Sequence, residues 1–382
     1  MKKLFLSMFI AGTMLAACSS DDDNNPTPDN DPFKDGVISG NITSDATINS
    51  GKEYTLRGAV YVKPGATLTI EPGAIIKAEY SESSPSTAFL AVEMGGKIMA
   101  EGTTSSPIIF RSGAAQPAAG QWGGIVICGK GITNAGTNVE AEVTGLKYGG
   151  TDAADNSGVL SHVIIEHSGN IITGEKEFNG LTLYAVGSGT KISDIFINQV
   201  ADDGVEWFGG SVNVSNLTVL GAQDDSFDWT DGWVGTATNL YADQSLATNA
   251  SSDSRGIEAN NSGDNATIEP LSNPTIQNLT LIGRNNPSAT SEAGIMLRVG
   301  THASFTNVYL KDFVSSSGFG INTNGAEAID FFTSNPLQKV KFDNIREKSS
   351  TAGTFVEDNT ATGAGNGAAR PDWSTWANNF VD

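Results

Sequence analysis

Short runs in which apolar and polar residues alternate recur along most of the chain, broken by Gly, Asn, Asp and Pro. Alternation with period two marks a strand with one buried face. One pattern repeats: apolar, small polar, a centre of Asn, Asp or His, apolar, any residue, apolar. It reads Leu160-Ser161-His162-Val163-Ile164-Ile165, then Ile192-Ser193-Asp194-Ile195-Phe196-Ile197 and Val214-Ser215-Asn216-Leu217-Thr218-Val219. It returns as Ala237-Thr238-Asn239-Leu240-Tyr241-Ala242, Ile276-Gln277-Asn278-Leu279-Thr280-Leu281 and Phe305-Thr306-Asn307-Val308-Tyr309-Leu310. The shortest step, Asp194 to Asn216, is about 22 residues, and longer steps are that unit plus an inserted loop.

Three short strands in about 22 residues make one rung of a right-handed parallel β-helix, stacked on the next rung at about 4.8 Å. The predicted fold is therefore all-β: a single-stranded right-handed parallel β-helix with loop insertions. Val163, Ile195, Leu217, Leu240, Leu279 and Val308 form one interior stack. Ile165, Ile197, Val219, Ala242, Leu281 and Leu310 form the next, and Thr218, between them, faces outward. Asn216, Asn239, Asn278 and Asn307 predict an asparagine ladder at a turn, each bonded to its own turn backbone, with His162 a structural member of the column.

Shorter units precede these. Gly65-Ala66-Thr67-Leu68-Thr69-Ile70-Glu71-Pro72-Gly73, Ala74-Ile75-Ile76, Lys97-Ile98-Met99-Ala100 and Pro107-Ile108-Ile109-Phe110 are strands broken by Gly and Pro turns. No long helix is predicted. Near the end, Trp373 and Trp376 are expected to cap an open solenoid end.

The first residues break the pattern. Lys2 and Lys3 precede an apolar run from Leu4 to Ala17, shorter than the roughly 20 residues a bilayer span needs. It reads as a secretory signal peptide, residues 1–17. Residues 18–35, rich in Asp, Asn and Pro, read as a self-repelling linker, and 36–382 as the β-helix with its caps.

Composition narrows the function. The chain of 382 residues carries 22 basic and 43 acidic side chains, a net charge of −21. Such a chain repels polyphosphate, so nucleic acid is excluded as a partner. Two cysteines build no disulfide scaffold, and Cys128, in Gly124-Ile125-Val126-Ile127-Cys128-Gly129, reads as core. Three histidines spread along the chain do not make a zinc site. Glu166-His167 ends a strand at the rung edge.

The acidic residues are not evenly spread. Asp202-Asp203-Gly204-Val205-Glu206-Trp207 aligns with Asp224-Asp225-Ser226-Phe227-Asp228-Trp229 at an offset of one rung, and Arg255-Gly256-Ile257-Glu258 predicts a third. With Val205 and Trp207 inward, Glu206, Asp228 and Glu258 form an outward column of carboxylates. Two unit charges 4.8 Å apart at an effective dielectric of 20 repel by roughly 3.5 kcal/mol. Three compensations are available. Ca²⁺ could bind Asp202, Asp203, Glu206, Asp224, Asp225 and Asp228; a shared proton could pair a general acid with a general base; or turn N–H groups could cap the aspartates. Trp233, Tyr148 and Glu258 are candidate ligand contacts, with Trp122 a further aromatic that could stack on a sugar.

Several motifs carry a family resemblance. Leu15-Ala16-Ala17-Cys18 resembles a bacterial lipobox, which implies cleavage before Cys18 and its lipidation. Ser19-Ser20-Asp21-Asp22-Asp23 resembles the export tag of Bacteroidota surface lipoproteins. Together with Gln121-Trp122-Gly123-Gly124 and the Asp202–Gly210 segment, these look like uncharacterised Bacteroidota surface lipoproteins with a pectin-lyase-like β-helix. The resemblance implies a lipid anchor in the outer membrane, facing outward, and no particular activity. Asp203-Gly204 and Gln223-Asp224-Asp225 also resemble the three-aspartate pattern of polygalacturonase-type hydrolases, which implies that among Asp203, Asp224 and Asp225 one protonates the leaving oxygen and the others activate water. That family's Gly-His-Gly and Arg-Ile-Lys signatures are missing. A pectate-lyase resemblance implies Arg255 as base. The sequence thus supports a non-catalytic glycan- or protein-binding lipoprotein with a Ca²⁺-holding acidic face. Its alternatives are a carbohydrate-active enzyme and an accessory lipoprotein of an outer-membrane transporter.

Overall fold

The computed structural model describes residues 33–381, apart from 34, 83–86, 144, 174, 175, 253 and 291. The signal segment, Cys18 and nearly all of the linker lie outside the described residues.

Almost every strand pairs in parallel with the strand one turn further along the chain, so the sheet winds as a parallel β-helix. One face runs through Phe89–Val92, Ile125–Cys128, Leu181–Tyr184, Val205–Phe208, Phe227–Thr230, Arg255–Ala259, Ala293–Leu297 and Phe319–Thr323. The other two faces are the halves of one bent strand per rung: Lys191–Asn198, Asn213–Leu220, Thr236–Asp243, Thr275–Ile282 and Ser304–Lys311. The bend lies at Asp194, Asn216, Asn239, Asn278 and Asn307, all at positive φ between 55° and 62°. Asn and Asp are the side chains that enter this region most readily. His162 holds the same conformation.

The predicted asparagine ladder is present, but its bonds run between rungs. Asn216 Nδ2 donates to Asp194 Oδ1 at 2.8 Å, Asn239 to Asn216 at 2.8 Å, Asn278 to Asn239 at 2.9 Å and Asn307 to Asn278 at 2.9 Å. An amide carries donor and acceptor together, so each satisfies its neighbour instead of its own turn.

The interior stacks also match the pattern. Ile195, Leu217, Leu240, Leu279 and Val308 lie in register, as do Ile197, Val219, Ala242, Leu281 and Leu310, and all are buried.

Thr218 differs from its expectation: it is only 1% exposed. Residues 361–381 run back along the outside of this face and bury a second apolar layer that includes Ile109, Ile164, Phe196, Leu220 and Tyr241. This strap is tied down by Tyr241 Oη donating to the Ala368 carbonyl at 3.1 Å and by the Ala364 amide donating to Thr280 Oγ1 at 3.0 Å. Trp376, in the 3-10 segment Asp372–Asn379, lies beside His162 and Phe196. The two tryptophans therefore cover the side of the solenoid, not its open end. A helix that the alternation does not predict, Ala326–Ser334, fills one inserted loop and lays Phe331 on His302 at 3.7 Å.

Candidate functional site

The acidic residues lie on and beside the first face, where two rungs repeat without an insertion. Val205 pairs with Phe227, Glu206 with Asp228 and Trp207 with Trp229; on the next rung Asp228 pairs with Glu258. Val205, Trp207, Phe227 and Trp229 are buried in the core, so Glu206 and Asp228 point to the outer side, as the alternation requires.

The turns leading into these strands carry the other aspartates. Asp203 Oδ1 accepts from the Asp225 amide at 2.9 Å, and Asp225 Oδ1 accepts from the Arg255 amide at 2.5 Å. One oxygen of each thus caps the next rung's backbone. Gly204 is required between them: a Cβ there would sit 2.5 Å from the Ser226 carbonyl and 2.6 Å from Val219. Asp224 Oδ1 accepts from Ser251 Oγ at 2.6 Å.

Charge compensation is uneven along the column. At one end Glu258 is held by Arg255 at 2.7 Å and by Arg298, with Asn260 beside it. At the other, Glu206 Oε2 accepts a neutral bond from Asn179 at 2.7 Å, and among the described residues no basic side chain pairs with Asp202, Asp203, Glu206 or Asp228. Burial first, then the neighbouring carboxylates, push Asp203 and Asp228 well above the usual carboxylate range, at Asp228 against the opposing charge of Arg298. Burial and then Glu142 do the same to Glu206, and Asn179 opposes them. Asp202 is pushed up to about 10, by burial and by Glu177, with which it shares a hydrogen bond. Asp228 Oδ1 is buried without a hydrogen-bond partner.

Three overlapping carboxylate triplets result: Asp202, Asp203 and Asp224; Asp203, Glu206 and Asp228; Asp225, Asp228 and Glu258. Within each, one oxygen per residue lies within 4.8 Å of the others. Ligands across a Ca²⁺ ion with bonds of 2.3–2.6 Å stand at most about 5 Å apart, so the spacing and the all-oxygen donor set fit a hard divalent cation. An inverting pair of hydrolase carboxyls needs roughly 6.5–9.5 Å to admit water between them.

Four expectations are corrected. Trp233 is fully buried and stacked on Trp207 at 4.5 Å, so its face is closed to a sugar. Tyr148 is buried against Tyr184 and donates its hydroxyl to Asp231 at 2.8 Å. Glu258 is buried and neutralised by two arginines. Arg255 is buried in that same pairing, with Asp225 at 3.9 Å, and such a fixed cation is not a base. Trp122 is likewise core, its indole N–H donating to the Glu166 carbonyl, and Cys128 is a buried free thiol.

Sequence reading missed Asn179, Glu142, Glu177, Asn260 and Arg298. Asn179 had a signal: Asn179-Gly180-Leu181-Thr182-Leu183-Tyr184 aligns with Asp203-Gly204-Val205-Glu206-Trp207-Phe208, and the strands are in that register. Glu142 and Glu177 come from inserted loops that no repeat announces.

A family model described as the pectate-lyase like beta helix domain matches residues 40–378, and the chain belongs to that family. No curated protein and no solved structure matches it.

Proposed function

We propose that this protein is a non-catalytic carbohydrate-binding β-helix, displayed on the outer membrane through a lipid on Cys18, whose acidic face holds a divalent cation such as Ca²⁺. The observation that carries the cation is the Asp203, Glu206 and Asp228 triplet: three converging carboxylates, no ion pair to any of them among the described residues, and a buried Asp228 oxygen that accepts no hydrogen bond. Asp203 keeps its Oδ1 on the next rung's backbone, while Asn179 orients Glu206. A bound cation would cancel the mutual repulsion and present an electrophilic centre to sugar hydroxyls or carboxylates. Carbohydrate as the ligand class is supported by the family alone, and fold does not by itself imply activity.

Adding Ca²⁺ should raise the melting temperature according to RT ln(1 + [L]/Kd), a chelator should reverse the gain, and Asp228→Asn should abolish it. A melting temperature indifferent to Ca²⁺, Mg²⁺ and chelator would sink the cation. For location, external protease should reach the protein on whole cells, and Cys18→Ala should release it.

One observation favours a hydrolase instead: Asp202, buried beside Glu177 and pushed up to about 10, is placed to act as a general acid. Release of oligosaccharides from a polysaccharide, lost in both Asp203→Asn and Asp225→Asn, would establish that reading. Binding without product would exclude it.

A further inference from the structure

A second site lies toward the N-terminal end, outside the acidic cluster. Tyr80, Ser81, Glu82, Ala114, Ala115, Gln116 and Gln121 line an open cleft of about 570 Å³, within the range of roughly 300–1,000 Å³ typical of ligand sites. It is built by the turns that follow two stacked strands, Ile75–Ala78 and Ile108–Ser112, joined where the Gly113 amide donates to the Ala78 carbonyl at 2.7 Å. Gln121 stiffens one wall: Ser112 Oγ donates to its Oε1 at 2.5 Å and its Nε2 donates to the Gln116 carbonyl at 3.0 Å.

Tyr80 is the feature that asks for a ligand. The tryptophans Trp122, Trp207, Trp229 and Trp233 are all fully buried, and among the described residues Tyr80 is the one aromatic in the set of exposed large apolar side chains. A ring about one-third exposed (36%) beside polar side chains is what a pyranose recognises: its apolar C–H face lies on the aromatic ring and its hydroxyls bond the polar groups around it. Gln116 and Glu82 are exposed at the cleft and can donate to or accept from hydroxyls. Among the described residues the lining holds one acidic group and no basic one, which disfavours a uronate and suits a neutral sugar.

We infer that this cleft is a binding site for neutral hexose or pentose units, with Tyr80 as the stacking platform. The inference takes its ligand class from the carbohydrate-binding reading and owes nothing to the cation. The cleft also lies on the same row of turns as the acidic cluster. The Gln121 amide donates to the His167 carbonyl and the Ala201 amide to the Ser168 carbonyl, so Asp202 is three rungs from Tyr80, about 14 Å at about 4.8 Å per rung.

The test is isothermal titration of the full chain with maltohexaose, cellohexaose, xylohexaose and mannohexaose, each with Ca²⁺ and again with EDTA. At least one should bind. Tyr80→Ala should weaken that binding at least tenfold, Tyr80→Phe should retain it, Gln116→Ala should weaken it less, and replacing Ca²⁺ by EDTA should leave it unchanged. The melting temperature of Tyr80→Phe should equal that of the parent, and each variant should be titrated at a temperature where its melting curve shows it folded. Binding by none of the four sugars, or equal binding by Tyr80→Ala, overturns the inference. Binding that disappears in EDTA and in Asp228→Asn while surviving Tyr80→Ala moves the sugar to the acidic cluster, overturning this site but not the proposed function.

Discussion

Two polar columns run parallel along this solenoid, and they answer the same stacking problem in opposite ways. On the bent strands, Asp194, Asn216, Asn239, Asn278 and Asn307 stand one above another, and every link between them is an amide hydrogen bond of 2.8–2.9 Å. On the neighbouring face, Glu206, Asp228 and Glu258 stand at the same rung spacing and have nothing to give each other. Amides both donate and accept; ionised carboxylates only accept. A column of amides is therefore closed on itself. A column of carboxylates must draw protons, arginines or a metal from elsewhere, and here the arginines reach only one end. The unsatisfied end is where a ligand has something to do.

The comparison can be broken most severely in the core beneath both columns. Leu217→Asp places a charge in a dry stack and should cost several kcal/mol in urea unfolding. Thr218→Asp should cost a comparable amount, because the strap seals that side chain too; a harmless Thr218→Asp would show that the strap is not packed.

The next largest effect is with pH in chelator. Asp202, Asp203, Glu206 and Asp228 hold protons in the folded state at pH values where the unfolded chain has released them. From the ordinary carboxylate value near 4 up to about 10 for Asp202, the folded form binds more protons, so stability falls as pH rises. The slope is about 1.4 kcal/mol per pH unit for each extra proton held. Melting curves between pH 5 and 8 should show it, and saturating Ca²⁺ should flatten it.

Smaller effects come from exchanging the two chemistries. Asn239→Asp removes the donor to Asn216 and should cost about 1–3 kcal/mol. Asp228→Asn puts an amide into the acidic column and should stabilise the chelated protein by about 1 kcal/mol, while removing its response to Ca²⁺. Destabilisation by both exchanges in chelator would show that the carboxylates are already satisfied.

The columns were legible because the repeat is. Asp202-Asp203 and Asp224-Asp225 align with no insertion between them, so register followed from residue numbers alone, and alternation set the inward tryptophans. What could not be read was whatever crosses the repeat. Thr218 obeys the outward half of its strand, and only a segment more than 140 residues later buries it. Trp233 and Tyr148 look like sugar platforms in sequence, since an aromatic in a loop carries no sign of which way it turns. Arg298 belongs to the site through an insertion between Glu258 and Met296, strands whose pairing the sequence does not index. The amide bonds go to the neighbouring rung and not to the turn backbone because the left-handed bend, invisible in composition, turns each side chain toward the one stacked on it.

The strap gives the solenoid a property that its rungs alone lack. A stack of near-identical units whose contacts are with immediate neighbours frays from its ends, each rung opening almost independently. Residues 361–381 lie across apolar side chains from many rungs at once, between Ile109 and Ile282. A middle rung can then open only if the splint lifts, and lifting it exposes the others. Amide hydrogens across these rungs would exchange together as one cooperative block, with local fraying confined to the turns beyond the reach of the strap.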